Sequence, residues 1–463
     1  MNHEILFRDP AGRRVRFALS GARGGFARTL LAQARAIPRL EPAVLCDLDA
    51  EGVMALLAEL GYPPGAAVLC ETAAQAGGRG DRIAVVRDAS LLDAVPHDIL
   101  VEATGQPEAG ARMALDAIGR GAHVAMVSKE TDSVVGPELN RLAVERGLVY
   151  TTADGDQPAN LIGLVTWARL LGFEVLAAGK SSEYDFVFDH ARAEVTCAEL
   201  RCAAPGLGAL WMLGADVPGM LASRSDVLAA LPQRATPDYC EMNVVSNSTG
   251  LLPSRDALSF PLCRITELAD VFAPRAEGGI LNRTGVVDVF NCLRRPEEVS
   301  LGGGVFVIVA CGDPVVWEML RGKGHVVSRD GRRACIFLPY HLMGLETPVS
   351  LFSAVLHGRA SGSDQQSVQS VMVARAGRDF RAGEVLHMGG HHHVMDDCTA
   401  LLLPASRAGG LVPFYLAANK TLCADVPAGA MIPESAVALE GSLLQALRRG
   451  AARPLPAATG AMR

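Results

Sequence analysis

No run of about 18 uncharged apolar residues occurs anywhere in the chain, so no helix is expected to span a membrane. A basic excess is missing as well. The net charge is -7 at pH 7, and binding a phosphate backbone needs a concentrated basic surface, so no nucleic-acid partner is expected. Paired cysteines are absent too: the 11 are scattered, with no C-x-x-C pair. That argues against a disulfide framework or a zinc site and for reduced, mostly buried thiols. The N-terminal stretch MNHEILFRDPAGRRVRF has no apolar core of leader length and no A-x-A-like site, so a cytoplasmic location is expected.

What remains is an ordinary globular composition, 49% hydrophobic and 20% charged, in a chain of 463 residues. That is enough for two or three domains with separate cores. The stretch VRFALSGARGG, residues 15–25, organises the reading. An apolar run of strand length from Val15 to Leu19 stops at a glycine-rich turn, and a helical pattern (Phe26, Leu30, Leu31, Ala34) follows. Strand, glycine turn and helix N-terminus make a phosphate-binding corner, because glycine admits a pyrophosphate close to the backbone and the helix offers free N–H groups. The usual G-x-G-x-x-G spacing is altered: Arg23 and Phe26 stand where two glycines are expected, and Gly24 and Gly25 supply the small residues. Gly21, Ala22, Arg23, Gly24, Gly25 and Phe26 are therefore the first candidate cofactor residues.

A second strand, Ala43 to Asp47, ends in an acid 26 residues after Gly21. A carboxylate there binds the adenosine ribose and repels a 2′-phosphate, which favours NAD over NADP; the alternative is a strand-terminal cap. Residues 61–82 read as a long loop containing a helix. Further strands are expected at 83–86, 99–103, 123–127 and 149–152, with helices between them, including one over 137–146. Such alternation gives βαβ units and a doubly wound parallel sheet, with ligands beyond the carboxyl ends of the strands. Asp47, Thr104, Lys129, Asp154 and Asp156 all fall at such ends.

Val101-Glu102-Ala103-Thr104-Gly105, Gly121-Ala122-His123-Val124 with Ser128-Lys129, and Gly155-Asp156-Gln157-Pro158 resemble the N-terminal half of homoserine dehydrogenase. Glu241-Met242-Asn243 with Asn247-Ser248-Thr249-Gly250, Gly285-Val286-Val287-Asp288, Gly302-Gly303-Gly304-Val305-Phe306, and Leu338-Pro339-Tyr340-His341-Leu342 with Glu346-Thr347-Pro348 resemble a narrower group. That group is the homoserine-dehydrogenase-like oxidoreductases with a C-terminal SAF (antifreeze-like) domain, and the likeness runs from about residue 14 to 440. It implies an α/β chain with a Rossmann domain at 1–160, an α+β substrate and catalytic domain at 161–356, a linker at 357–367, a small mainly-β SAF domain at 368–449 and a tail at 450–463. It also implies that Lys129, after Ser128, lies beside the nicotinamide, with Thr104 and Gly105 at the cofactor.

Lys180 follows an expected strand (173–178) and opens the polar run KSSEYD. A lysine among carboxylates suits proton transfer to a polar substrate. Glu183 and Asp185 are either substrate ligands or partners of Lys180, and Asp156 either orients the ribose or substrate or caps the next helix. Glu241, Asn243 and Asn247 are candidate substrate groups, as are Tyr340 and His341, whose loop reads equally as packing. The repeated D-x-x-A-G at 379–383 and 425–429 marks turns of a compact β module. Between them stand His391, His392 and His393; neighbours on a strand face opposite ways, so no metal site is expected. The function expected is an NAD(P)-dependent oxidoreductase, NAD preferred, acting as a homo-oligomer on a small polyhydroxy, hydroxy-acid or aldehyde substrate. The alternatives are a redox-neutral isomerase, epimerase or lyase with bound NAD, and a nucleotide-sensing scaffold without activity.

Overall fold

The computed structural model describes residues 2–390 and 393–452, so His391, His392 and most of the expected tail lie outside the described residues. The chain forms two compact units. The first comprises Met1–Ala159, Leu342–Ser367 and Ala438–Arg463, and the second Asn160–His341 and Val368–Val437.

The first unit is built on seven strands: β1 Val15–Ser20, β2 Leu40–Cys46, β3 Ala67–Leu69, β4 Ile83–Val86, β5 Ile99–Glu102, β6 His123–Met126 and β7 Tyr150–Thr152. They are ordered β3-β4-β2-β1-β5-β6-β7, and every pairing is parallel. Strands covered on both faces read as nearly unbroken apolar runs, and Val15, Phe17, Ala18 and Leu19 are all fully buried. From β1 the chain winds to one side, then returns to the other at β5. This Rossmann-like order puts the topological switch point at the carboxyl ends of those two strands. The stretch 61–82 contains β3 as well as the helix Ala73–Gly77. The helix Pro348–His357, distant in sequence, completes this unit's core with Leu351 and Ala354.

Besides β2, which starts at Leu40 and not Ala43, two boundaries near the candidate site differ from the sequence expectation. The helix expected from Pro137 begins at Lys129 and runs to Val144, with the proline inside it. A proline ordinarily marks a helix start because it has no N–H to give, and the true start is hidden by the polar run Lys129 to Ser133.

The second boundary is in the second unit, where β8 spans Val175–Ser181 and continues through Gly179 and Lys180. A Cβ on Gly179 would lie 2.3 Å from the Asp288 carbonyl oxygen and 2.8 Å from the Phe306 ring. Only glycine permits that approach, so here it extends the strand that it was expected to end.

The remaining strands of this mixed sheet are β9 Phe186–Asp189, β10 Glu194–Cys197, β11 Leu200–Ala203, β12 Leu252–Pro253, β13 Leu262–Cys263, β14 Val286–Arg294, β15 Val305–Ala310, β16 Val326–Val327 and β17 Arg333–Leu338. β8 lies between β14, parallel to it, and β15, antiparallel. Residues 368–437 add a small antiparallel pair, β18 Ser370–Ala376 with Cys398–Pro404. Among the described residues no helix is long and apolar enough to cross a membrane.

Candidate active site

In the first unit the glycine turn closes β1. Gly21 has φ +71°, and a Cβ there would lie 2.2 Å from the Ala103 carbonyl oxygen at the end of β5. The position therefore excludes any side chain. The next amides are committed within the protein: Ala22 donates to the Cys46 carbonyl (3.2 Å), Arg23 to Asp47 Oδ2 (2.9 Å) and Gly24 to the Gly21 carbonyl (3.1 Å). The helix Gly25–Ala34 starts with no side-chain cap. Its first N–H groups, those of Gly25 and Phe26, are the ones a helix leaves without an internal acceptor. Arg23 faces outward, 3.5 Å from Asp49. The Phe26 ring packs against the unit's core. Asp47 also accepts from the Asp49 amide (2.9 Å), so the acid at the end of β2 braces the turn.

The ends of β5 and β6 are joined by polar contacts. Gly105 N–H donates to Ser128 Oγ (2.8 Å), and Thr104 donates to Glu102 Oε1 from both its amide (2.9 Å) and its hydroxyl (2.5 Å). Glu102 is fully buried, and that burial pushes its carboxyl above the ordinary range. Lys129, the first residue of its helix, brings Nζ to 3.2 Å from Asp156 Oδ1. One turn along, Asp132 accepts from the Tyr150 hydroxyl (2.9 Å) and is pushed up to about 7, chiefly by burial. The sequence reading picked out neither Glu102 nor Asp132, since nothing in a strand-end or helical acid announces burial.

In the second unit Lys180 is fully buried. Its Nζ lies 2.7 Å from Asp238 Oδ1 and 3.5 Å from Glu183 Oε1, and it touches Glu241 Oε2. Burial pulls an ammonium's pKa down, but the charges of Asp238, Glu241 and Glu183 override it and hold Lys180 above the usual lysine range. Asp238 is pushed up to about 6 by burial, against the pull of Lys180 and with Glu241 adding to the rise. Ser182 Oγ donates to Asp238 Oδ2 (2.6 Å) and fixes the carboxylate. Of the three acids only Glu183 keeps solvent access, with 25% of its side chain exposed. The three present oxygens within 4.8 Å of one another, a donor set that suits a hard divalent cation as well as an ammonium.

Asp238 and Glu241 come from the helix Thr236–Thr249, three residues apart and so on one face. Asn243 and Asn247 lie on its other side and hold β18: Asn243 donates to the Ser370 carbonyl (2.8 Å), and Asn247 Oδ1 accepts from the amides of Gln369 (2.8 Å) and Ser370 (3.1 Å). Asp185 pairs with Arg294 (2.6 Å). Tyr340 is exposed, and the His341 ring packs so closely on Gly303 that a Cβ there would meet it at 2.5 Å. Asp238 was missed from sequence, although its spacing from Glu241 in TPDYCEMN is that of two residues on one helix face.

Residues 155–347 match the family model described as "Oxidoreductase DRL, catalytic domain". No curated protein matches the chain. Similar solved structures include a dihydrodipicolinate reductase from Paenisporosarcina sp. TG-14, at 11% identity and a TM-score of 0.33, over 75% of this chain and 97% of that one. The WlbA dehydrogenase from Bordetella pertussis is 20% identical with a TM-score of 0.27, over 38% of this chain and 48% of that one. A myo-inositol dehydrogenase from Corynebacterium glutamicum ATCC 13032 is 18% identical with a TM-score of 0.25, over 39% and 48%.

Proposed function

We propose that this chain is an NAD(P)-dependent oxidoreductase acting on a small polyhydroxy, hydroxy-acid or aldehyde substrate, with Lys180 handling the proton. The observation that carries this reading is a fully buried ammonium clasped by Asp238, Glu241 and Glu183 inside the segment that matches an oxidoreductase catalytic-domain model.

The dinucleotide belongs to the first unit. Its pyrophosphate would be held by the uncapped amides of Gly25 and Phe26, beside the glycine turn that Gly21 makes sterically possible. Asp47 spends one lone pair per oxygen on backbone amides and keeps others for ribose hydroxyls, which favours NAD. Thr104, Gly105, Ser128 and the Lys129–Asp156 pair are the groups assigned to the nicotinamide end. A nicotinamide bound there would supply the hydride chemistry. Lys180, held cationic, donates to the substrate oxygen and stabilises the negative charge that develops there. In the reducing direction it delivers the proton that turns the alkoxide into a hydroxyl. Asp238 and Glu241 fix Nζ, Ser182 orients Asp238, and Glu183 meets the substrate from the solvent side. Asn243 and Asn247 serve packing in this scheme. Residues 368–437 are read as an SAF-like β module, within a homoserine-dehydrogenase-like chain that assembles as a homo-oligomer.

The test is a panel of polyols, aldoses and hydroxy acids with NAD or NADP, read by nicotinamide absorbance. One class is expected to turn over with NAD, and Lys180→Gln is expected to lower kcat by about a hundredfold or more. Absence of both calorimetric nicotinamide binding and turnover would overturn the reading. Substrate conversion with bound cofactor and no net absorbance change would replace it with the redox-neutral alternative.

A further inference from the structure

The second unit contains a cavity of about 340 Å³ whose lining includes none of Lys180, Glu183, Asp238 or Glu241. Its lining is partly apolar, with Leu221, Phe260 and Ile280, and partly basic, with Arg234, Arg255 and Arg275. No Asp or Glu lines it. Of the acids beside it, Asp256 pairs with Arg407 and Glu277 with Arg333, Asp288 accepts from the Ser259 amide (2.6 Å), and Asp226, next to Ser225, is exposed. Among the described residues the side chains of Arg255 and Arg275 make no hydrogen bond or ion pair. Arg234 is held in place instead. Its guanidinium stands 5.1 Å over the Phe260 ring, and Nη1 donates to the Tyr239 hydroxyl (3.2 Å) and to the Ala257 carbonyl. That leaves most of its five donors for a ligand.

Three like charges around one small space repel one another until a counter-charge arrives. Guanidinium is also the group that matches a planar or tetrahedral oxyanion with paired N–H donors. We infer that this cavity is a second ligand site, apart from the lysine cluster, for a small amphiphilic oxyanion of two negative charges. The charged head lies on Arg234, Arg255 and Arg275, and a compact apolar body lies on Leu221, Phe260 and Ile280. A phosphate monoester and an aromatic dicarboxylate share this chemistry.

Isothermal titration of the full chain without nicotinamide tests the site, using phenyl phosphate, phthalate and neutral benzyl alcohol as probes. Saturable one-to-one binding is expected for at least one dianion, and the tighter of the two names the head group. Affinity should fall as salt rises, and by at least about tenfold in Arg255→Gln/Arg275→Gln, since each charged hydrogen bond is stronger than a neutral one. Both side chains are exposed and make no contacts that the fold needs, so the double variant should fold with an unchanged melting temperature. No saturable binding of either dianion would overturn the proposal. So would an unchanged affinity in the double variant, or benzyl alcohol binding as tightly as the dianions. None of these results depends on turnover, so the site fails or stands separately from the oxidoreductase reading.

Discussion

At Lys180 the balance of charge is the point of interest. The ammonium and two of its acids are fully buried, so each is tolerable only because the others are present. Lys180→Met should strand Asp238 and Glu241 and cost roughly 3–5 kcal/mol in urea unfolding. Adding Asp238→Asn and Glu241→Gln should recover much of the loss, because a buried charge without a partner costs more than its neutral replacement. Asp132 makes a different prediction. Its native carboxyl is pushed up to about 7, from an ordinary value in the unfolded chain. As pH rises from about 4 to about 7 the unfolded state therefore releases a proton that the folded state keeps, and stability is lost over that window. Asp132→Asn keeps an acceptor for Tyr150 and has no carboxyl to ionise. Its stability relative to the parent should rise by a few kcal/mol between pH 5 and pH 8, read by thermal melts. A parallel pH dependence in both proteins would sink this account. Lys180 and Glu183 could be read as a pair from KSSEYD. Asp238, 58 positions away, could not, because nothing local records which helix will face β8.

At the scale of elements, two glycines carry opposite meanings. Gly21 ends β1 at φ +71°, and Gly21→Ala would press its Cβ into the Ala103 backbone. The variant should lose roughly 1–3 kcal/mol and bind NAD at least about tenfold more weakly by calorimetry. Gly179 lies inside β8, against the Asp288 carbonyl. Gly179→Ala should push β8 away from β14 and displace the neighbouring Lys180. The expected result is activity lost out of proportion to the change in melting temperature. The strand-turn-helix at residues 15–34 was readable because its apolar run and glycines act on adjacent residues. The helix start at Lys129 and the end of β8 were not. A proline gave the usual start signal and a glycine the usual stop signal there, and packing by distant residues overrode them.

At the scale of the molecule, the first unit is not one continuous stretch of chain. Leu351 and Ala354 are fully buried in its core although they follow most of the second unit in sequence. A fragment of residues 2–159 should therefore melt less cooperatively than the unit in the full chain. A peptide of residues 342–367 added in trans should raise its melting temperature, since it covers apolar surface that is otherwise open to water. No shift with the peptide would show that the core closes without it.

The sequence by itself determined the α/β class, the parallel nucleotide-type sheet and the position of the glycine corner. These follow from periodicity and from backbone freedom, which act between neighbours. Only the tertiary structure decided that Lys180 is clasped by Asp238 and Glu241, that Asn243 and Asn247 turn away to hold β18, and that three arginines and no acid line one cavity. Burial and charge pairing are set by residues far apart in the chain, and a carboxylate has the same letter whether water or an ammonium stands beside it.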